Sequence, residues 1–288
     1  MGIEGLTIIG ESINDSVPST HKLYEANDID GIMALAQSQD EGGAAYIDVN
    51  VGLRGPGFMA DMVRRVQEIT SKPLSIDTPD VEMAEAGLEA YDAGRAGGKL
   101  PILNSITVTR AAMFDLYKKQ PFRPILLSCE REENGESRPN RTGADNYQTA
   151  KVLLAMARET SGMPNDDCIF DPGIAPIGSD IEGINKMVVE TLRLIHGDAD
   201  FNGTHRSVGL SNFTVMLPPK RADGSPVKSP LESAFLTIAM PLGLDTIIGS
   251  VKRKYQILDP GDDALVCLND ALAAEGHECI MRVMAYYS

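Results

Sequence analysis

The amino-acid sequence predicts a single (β/α)8 barrel, one domain that covers residues 1–288. Eight short apolar runs alternate with segments of helical periodicity from one end of the chain to the other. Such alternation requires a parallel sheet with helical crossovers. The length of 288 residues fits a barrel of about 250 residues with insertions. No GxGxxG follows the first run, so an open dinucleotide-binding sheet is disfavoured, and eight even repeats favour closure.

The predicted strands are the apolar runs, and each is followed by a turn or a helix start signal. Asp28 is expected to cap the first helix, and a second helix is expected over roughly 57–70. Thr78, Pro79 and Asp80 are interpreted as the N-cap, the first proline and a first-turn carboxylate of the next helix. The eight runs are 6–9, 46–49, 74–76, 102–103, 125–127, 169–170, 207–210 and 246–248.

The second half of the chain continues the pattern with two long loops inserted. A helix is predicted from about Asp180 to His196, and Ser229 with Glu232 is interpreted as a capping box that begins another. The charged loop 130–146 is a candidate lid or partner contact, and a second long loop follows over 217–229. The tail after His277 is apolar enough to pack on the barrel or on another subunit.

Composition and charge exclude several functional classes. The net charge of −15 would repel a phosphate backbone, so nucleic acid is not an expected partner. The N-terminus lacks a signal-peptide pattern and no apolar run reaches membrane length, so a cytoplasmic protein without membrane attachment is expected. Neither the scattered histidines nor the cysteines show metal-ligand spacing, and reduced thiols without a metal site are predicted. The four cysteines are Cys129, Cys168, Cys267 and Cys279.

Four predicted strands end on a carboxylate or an amide, namely Asp77, Asn104, Asp171 and Asn212. In a parallel barrel the carboxyl ends of the strands share one face, where these side chains would form a polar ring. Aspartate accepts two hydrogen bonds and asparagine both donates and accepts, which suits a flat heterocycle such as a pterin or guanine. Taken alone, the same residues also fit caps and turns. No catalytic triad order, GxSxG, HExxH or P-loop occurs, so hydrolytic nucleophile chemistry is unsupported.

Six motifs give the chain a family resemblance over roughly residues 6–250. In one colinear order it resembles the pterin-binding methyltransferases, and it is most similar to the methyltetrahydrofolate:corrinoid protein methyltransferases. The motifs are IGESIN at 9–14, GGAAYIDVNVG at 42–52, SIDTPDVEMAEAGL at 75–88, ILNSIT at 102–107, IFDPGI at 169–174 and VGLSN at 208–212.

The resemblance implies roles for individual residues. Asp77, Asn104 and Asp171 would hold the pterin ring, and Asn212 would hydrogen-bond N5, the atom that carries the methyl group. It also implies that tetrahydrofolate or 5-methyltetrahydrofolate is the substrate, that a partner corrinoid protein carries the cobalamin, and that the protein is a homodimer. The residues expected to support the pterin network are Asp48, Asn50 and Ser211.

The chain also departs from the family pattern. Ser12 stands in IGESIN where the family often has arginine, and both long loops are unusual. Lys220 and Arg221 are candidates for the folate glutamate tail, although solvated loop charges explain them equally well. The basic run 252–254 is a second such candidate, for which a solvated helix start is the simpler explanation.

Two other functions remain as alternatives. DPGI at 171–174 also resembles dihydropteroate synthase, but that family has basic residues after the seventh strand, where this chain has Asn212 and Phe213. The other alternative is a non-catalytic folate- or corrinoid-binding module.

Overall fold

The computed structural model describes residues 2–288, and its centre is a closed barrel of eight parallel strands, which confirms the predicted fold. Around the barrel the strands follow the chain, and the last pairs with the first. Two further strands form a separate antiparallel hairpin, β6–β7. The strands are β1 (Thr7–Asn14), β2 (Tyr46–Asn50), β3 (Leu74–Asp77), β4 (Ile102–Ile106), β5 (Arg123–Leu127), β6 (Glu130–Glu133), β7 (Glu136–Pro139), β8 (Ile169–Asp171), β9 (His205–Gly209) and β10 (Thr246–Gly249).

Helices surround the barrel and bury one apolar face each against it. The crossover after β4 is made of 3₁₀ turns over Val108–Lys118, with a kink at Arg110. Within residues 2–288, no helix is both long and apolar enough to cross a bilayer. The α-helices are α1 (Pro18–Glu25), α2 (Ile29–Glu41), α3 (Pro56–Ile69), α4 (Val81–Ala90), α5 (Gly143–Ser161), α6 (Ile184–His196), α7 (Leu210–Phe213), α8 (Lys228–Ala239), α9 (Asp263–Ala273) and α10 (His277–Tyr287).

Two predicted helix starts are displaced in the structure. Asp80, not Thr78, caps α4, because its Oδ1 accepts the amide of Met83 at 2.8 Å, whereas the amide of Thr78 still bonds the neighbouring β4 strand. The predicted start at Asp180 is four residues early. Asp180 instead accepts the amide of Ile184 at 2.8 Å from outside α6.

The predicted capping box at Ser229 and Glu232 is wrong. Helix α8 begins at Lys228 after Val227, which makes no side-chain capping bond. Glu232 is fully buried, accepts the hydroxyl of Thr214, and lies 2.9 Å from the Nε of Arg253. A capping box leaves its glutamate at the solvated helix start, so the local sequence pattern was overridden by these tertiary contacts.

The charged segment 130–146 is mostly ordered secondary structure. Strands β6 and β7 are joined at Asn134 and Gly135, whose φ angles of 56° and 82° are those of a type I′ turn. Helix α5 then begins at Gly143. In contrast, segment 217–227 carries only an isolated bridge between Lys220 and Pro226.

The C-terminal segment packs on the barrel's own helices. Helix α10 lies against α9 and buries Cys279, Val283 and Tyr286. Met281 and Met284 remain exposed on its outer side. Of the two predicted placements, the structure shows packing on the barrel's own helices. The homodimer stays a prediction.

The helix starts generate a stability prediction. Asp80→Ala should lower the free energy of unfolding by about 1 kcal/mol, because it removes the bond to the Met83 amide. Ser229→Ala should change it by less than about 0.5 kcal/mol, because Ser229 caps nothing. Urea denaturation of both variants measures this. A larger loss of unfolding free energy in Ser229→Ala than in Asp80→Ala would mean that Ser229 does cap α8.

Candidate active site

The carboxyl ends of the barrel strands surround a cavity of about 360 Å³. Every barrel strand, or the segment that directly follows it, contributes to the wall of this cavity. None of the four histidines lines it. The lining residues are Glu11, Asn14, Asp48, Asp77, Asn104, Leu127, Cys129, Asp171, Gly173, Ile174, Gly209, Asn212 and Ile248.

An apolar layer lies beneath this cavity inside the barrel. Five strands contribute one buried residue each to a separate hydrophobic cluster. Because side chains alternate along a strand, the residue two positions later points to the same side and lies one layer nearer the strand ends. The apolar layer consists of Ile9, Tyr46, Ile102, Ile125 and Ile169. The residues two positions later, in the same order, are the cavity residues Glu11, Asp48, Asn104, Leu127 and Asp171.

Asp48 and Asp77 form a coupled acidic pair on adjacent strands. The Ser75 hydroxyl donates to Asp48 Oδ1 at 2.6 Å, and the Asn50 amide donates to Asp77 Oδ2 at 2.9 Å. Burial, and then the charge of Asp77, raises the pKa of Asp48 well above its ordinary value. Burial also raises the pKa of Asp77, although the Asn50 bond opposes this. The pair therefore holds a proton more readily than two exposed carboxylates would.

Asp171 is held by neutral donors. Its Oδ1 accepts the Gly173 amide at 2.8 Å, and its Oδ2 accepts the Ser207 hydroxyl at 3.2 Å. Burial raises the pKa of Asp171 to about 6, against the effect of those two bonds. Its oxygens have lone pairs left for a ligand that carries N–H groups.

Asn212 lies on the other side of the cavity and is exposed at its mouth. It belongs to the short helix α7, which follows β9 directly, and not to a strand end as the sequence pattern suggested. Its neighbour Ser211 is within hydrogen-bonding reach of Glu11. The pKa of Glu11 is raised by burial, while the Ser211 bond and the charge of Arg253 lower it.

Glu11 is the site residue that the sequence reasoning missed. The strand β1 was predicted to end at Ile9, but it continues through a bulge to Asn14, so that Glu11 and Asn14 both reach the cavity. The alternation rule supplied the missing signal, since Glu11 follows the apolar Ile9 by two positions.

The segment that carries Asn212 is fixed from behind by a buried ion pair. Thr214, next to α7, donates its hydroxyl to Glu232 of α8, which in turn meets Arg253. Burial raises the pKa of Glu232 to about 7. This arrangement ties α7, α8 and the loop after β10 together beneath the cavity rim.

The predicted site residues are therefore mostly brought together. Asp48, Asp77, Asn104, Asp171 and Asn212 line one cavity, and Asn50 and Ser211 each contact a carboxylate of that lining.

The predicted tail residues lie elsewhere. Lys220 and Arg221 are outside the lining. The Arg221 guanidinium stacks on Tyr286 at 4.3 Å and lies 3.7 Å from Asp263. Arg253 is committed to Glu232. No lysine or arginine lines the cavity within residues 2–288.

The cavity is built to bind and polarise more than to attack. Cys129 lines it, but burial raises the pKa of this thiol to about 12, which keeps it neutral. Among residues 2–288 no group of three or more His, Cys, Asp or Glu is arranged to hold a metal ion. What remains is a set of carboxylates and amides above an apolar layer. This set complements a flat heterocycle with several N–H groups.

These features define a barrel enzyme class that binds a heterocycle at its mouth, and comparison with known proteins specifies the class. Residues 13–249 match the family model described as "Pterin binding enzyme", so the chain belongs to this family. It is 27% identical over 259 residues to the methylcorrinoid:tetrahydrofolate methyltransferase of Eubacterium limosum, with 84% of each chain covered.

Solved structures agree on the fold. A dihydropteroate synthase of Xanthomonas albilineans matches with a TM-score of 0.58 and 17% identity, covering 95% of this chain and 93% of that one. The dihydropteroate synthase of Thermus thermophilus matches with a TM-score of 0.58 and 16% identity, covering 86% and 89%. At this identity the likeness concerns the barrel alone.

Asp171 generates a prediction on stability and pH. Its pKa is about 6 in the folded chain against an ordinary value of 3.8, so the folded state binds the extra proton and gains stability as the pH falls through 6. At neutral pH the ionised, buried carboxylate costs up to about 3 kcal/mol. Asp171→Asn should therefore stabilise the ligand-free protein near neutral pH, and this gain should shrink toward about pH 4.5.

Thermal unfolding of both proteins across this pH range measures the effect. Asp198→Asn is the control with the opposite sign, because the Tyr147 hydroxyl lowers the pKa of Asp198. A pH-independent difference between wild type and Asp171→Asn would contradict the assignment.

Proposed function

We propose that the protein transfers a methyl group between a corrinoid protein and N5 of tetrahydrofolate, giving or using 5-methyltetrahydrofolate. The observation that carries this proposal is that Asn212 lines the same cavity as Asp77, Asn104 and Asp171. The likeness to the Eubacterium limosum methylcorrinoid:tetrahydrofolate methyltransferase supports it.

In this proposal Asp77, Asn104 and Asp171 bind the pterin ring. A pterin presents adjacent N–H groups on its aminopyrimidine edge, and a carboxylate accepts two of them in parallel. Asp171 keeps free lone pairs and is nearly fully buried, so it fits this role. Asn104 offers both a donor and an acceptor for the carbonyl side of the ring. The Asp48–Asp77 pair, which binds a proton more readily than two exposed carboxylates, lines the same cavity beside them.

Asn212 acts at N5 in this proposal. The N5 lone pair attacks the methyl carbon, the electrons of the cobalt–carbon bond stay with the corrinoid, and the proton of N5 leaves. In reverse, the reduced corrinoid attacks the methyl carbon, the carbon–N5 bond breaks with its electrons kept by N5, and N5 takes up a proton. An amide at this position stabilises the changing charge in both directions without itself titrating. The pKa of Glu11 is raised, so this carboxyl group binds a proton more readily than an exposed glutamate does. In this proposal it exchanges the N5 proton through Ser211.

A dihydropteroate synthase reaction is less well supported by the same cavity. That reaction releases diphosphate, which needs cations, and no lysine or arginine lines the cavity within residues 2–288. Failure to condense p-aminobenzoate with a pterin diphosphate would separate this alternative experimentally.

The rim of the barrel offers a place for the corrinoid protein. The loops after β2, β9 and β10 expose large apolar side chains, including Leu53 at 89% and Met216 at 68% of their surface. These strands surround β1 on one half of the barrel, the half that carries Asn212. Exposed apolar residues grouped beside a cavity are typical of a partner surface. The set comprises Leu53, Val215, Met216 and Ile257.

Replacement of Asn212 tests the catalytic proposal. Asn212→Ala should lower methyl transfer from methylcobalamin to tetrahydrofolate by about 100-fold, the usual scale for removing one such polar group, while the Kd for tetrahydrofolate changes only a few-fold. The cobalt spectrum under anaerobic conditions gives the rate, and calorimetry gives the Kd.

Asn202→Ala, a matched exposed asparagine at the opposite end of β9, should leave both quantities unchanged. Equal losses of rate and affinity in Asn212→Ala would reduce the protein to a binding module.

The rim generates a separate prediction. Met216→Glu should lower kcat/KM with a methylated corrinoid protein by about tenfold or more, because it buries a charge in the proposed contact. With free methylcobalamin the rate should not change. Met281→Glu on α10 is the control. A loss that is the same with both methyl donors would place Met216 outside the partner surface.

A further inference from the structure

A second cavity of about 240 Å³ opens from the proposed active site. The two cavities share Cys129, Gly173 and Ile174, so they adjoin at these residues. We call this second cavity the side chamber. It lies between the segment after β7 and the loop that joins β8 to α6. Its lining consists of Cys129, Pro139, Asn140, Arg141, Gly173, Ile174, Ala175, Glu182, Gly183, Ile184 and Met187.

Gly173 and Cys129 meet where the two cavities adjoin. Gly173 has a φ of +77°, and a Cβ at this position would lie 2.6 Å from the Cβ of Cys129. Any larger residue would therefore force the two segments apart. The glycine of the DPGI motif thus permits the close contact that shapes the boundary of both cavities.

The opposite wall is held firmly by Asn140. Its side-chain amide donates to the Ser128 carbonyl at 2.8 Å and to the Thr149 hydroxyl at 2.9 Å, and its backbone amide donates to the Cys129 carbonyl at 2.8 Å. These bonds tie the end of the hairpin to β5 and α5. The side chamber is therefore formed before any ligand binds.

The chemistry of the side chamber changes from apolar to charged along its length. Ile174, which also lines the active-site cavity, supplies apolar surface at the inner end, and Ile184 and Met187 add further apolar surface. Arg141 stands at the outer end and is paired with Glu182. An aromatic ring followed by a carboxylate matches this order.

We propose that the side chamber binds the p-aminobenzoyl ring of tetrahydrofolate and that Arg141 binds the carboxylate of its glutamate. This inference rests on the proposed function. It moves the tail from the segment after β9, where Lys220 and Arg221 lie, to the loops that follow β7 and β8.

The ion pair between Arg141 and Glu182 determines whether a substitution at either residue weakens or strengthens binding of the tail. Both side chains are more than half exposed, and exposed pairs contribute little stability. A glutamate carboxylate can therefore take the place of Glu182 on Arg141. Removing the arginine should weaken tail binding, and neutralising Glu182 should strengthen it.

The outer groove argues for a short tail. A third cavity shares Arg141, Glu182, Gly183 and Met187 with the side chamber. It adds one cation, Lys186, but also the carboxylates Glu190 and Glu275. With three acids against two cations, this groove offers no net attraction for a chain of several glutamates.

The test compares two ligands that differ only in the tail. Kd values are measured by calorimetry for tetrahydrofolate and for 6-methyltetrahydropterin, which lacks the p-aminobenzoylglutamate group. Arg141→Ala should weaken tetrahydrofolate about tenfold and Glu182→Gln should tighten it, while 6-methyltetrahydropterin binds both variants as it binds wild type. Ala175→Phe, which fills the side chamber, should also weaken tetrahydrofolate alone. Arg138→Ala, an exposed arginine on the same hairpin, should change nothing.

Three results would overturn the inference. Arg141→Ala could weaken both ligands equally, which would mean a structural role, or weaken neither. Arg221→Ala could instead produce the tail-specific loss, which would return the tail to segment 217–229. Wild type could bind neither ligand, in which case the proposed function itself fails. Binding of both ligands without a tail-specific effect would leave the proposed function intact and remove only the side-chamber assignment.

Discussion

The burial of Asp48 and Asp171, with the half-buried Asp77 beside them, at the mouth of a closed barrel is the constraint on which the site depends. Asp48, Asp77 and Asp171 lie just above an apolar layer and are compensated by hydroxyl and amide groups, with no cation in the lining that residues 2–288 provide. Neutral donors offset only part of the cost of burying a charge, which is why the pKa of each group is raised. The remaining cost is relieved by a ligand that brings its own N–H groups. Under the proposed function, the pterin ring supplies such groups.

On the other side of the cavity, contacts made by neighbouring residues hold the segment that carries the Asn212 amide in place. Asn212 is exposed and sits on a helix of four residues, which has little rigidity of its own. Glu11 on one side and the buried pair of Glu232 with Arg253 on the other anchor its neighbours Ser211 and Thr214. Glu232 is thus best understood as a positioning residue for α7, even though it lies in α8.

Much of the fold and of the floor of the site could be predicted from sequence. Both rest on strict periodicities: the strand runs that end at Asp77, Asn104 and Asp171 fix which side chains meet at one face. Glu11 was missed because the apolar run ends at Ile9 while a bulge carries β1 on to Asn14, so the alternation that places Glu11 two positions after Ile9 was not followed past the run. Glu232 was misassigned because its motif is local, whereas its partners Thr214 and Arg253 are distant in sequence. The side chamber depends on the approach of Gly173 to Cys129 across two loops, which no local pattern encodes.

A crystal structure of the protein with 5-methyltetrahydrofolate would locate the ring directly. The pterin should lie in the mouth of the barrel, with its aminopyrimidine edge on Asp171 and Asn104 and with N5 within hydrogen-bonding distance of the Asn212 amide. A pterin bound in that cavity with N5 turned away from Asn212, or one bound elsewhere on the protein, would contradict it.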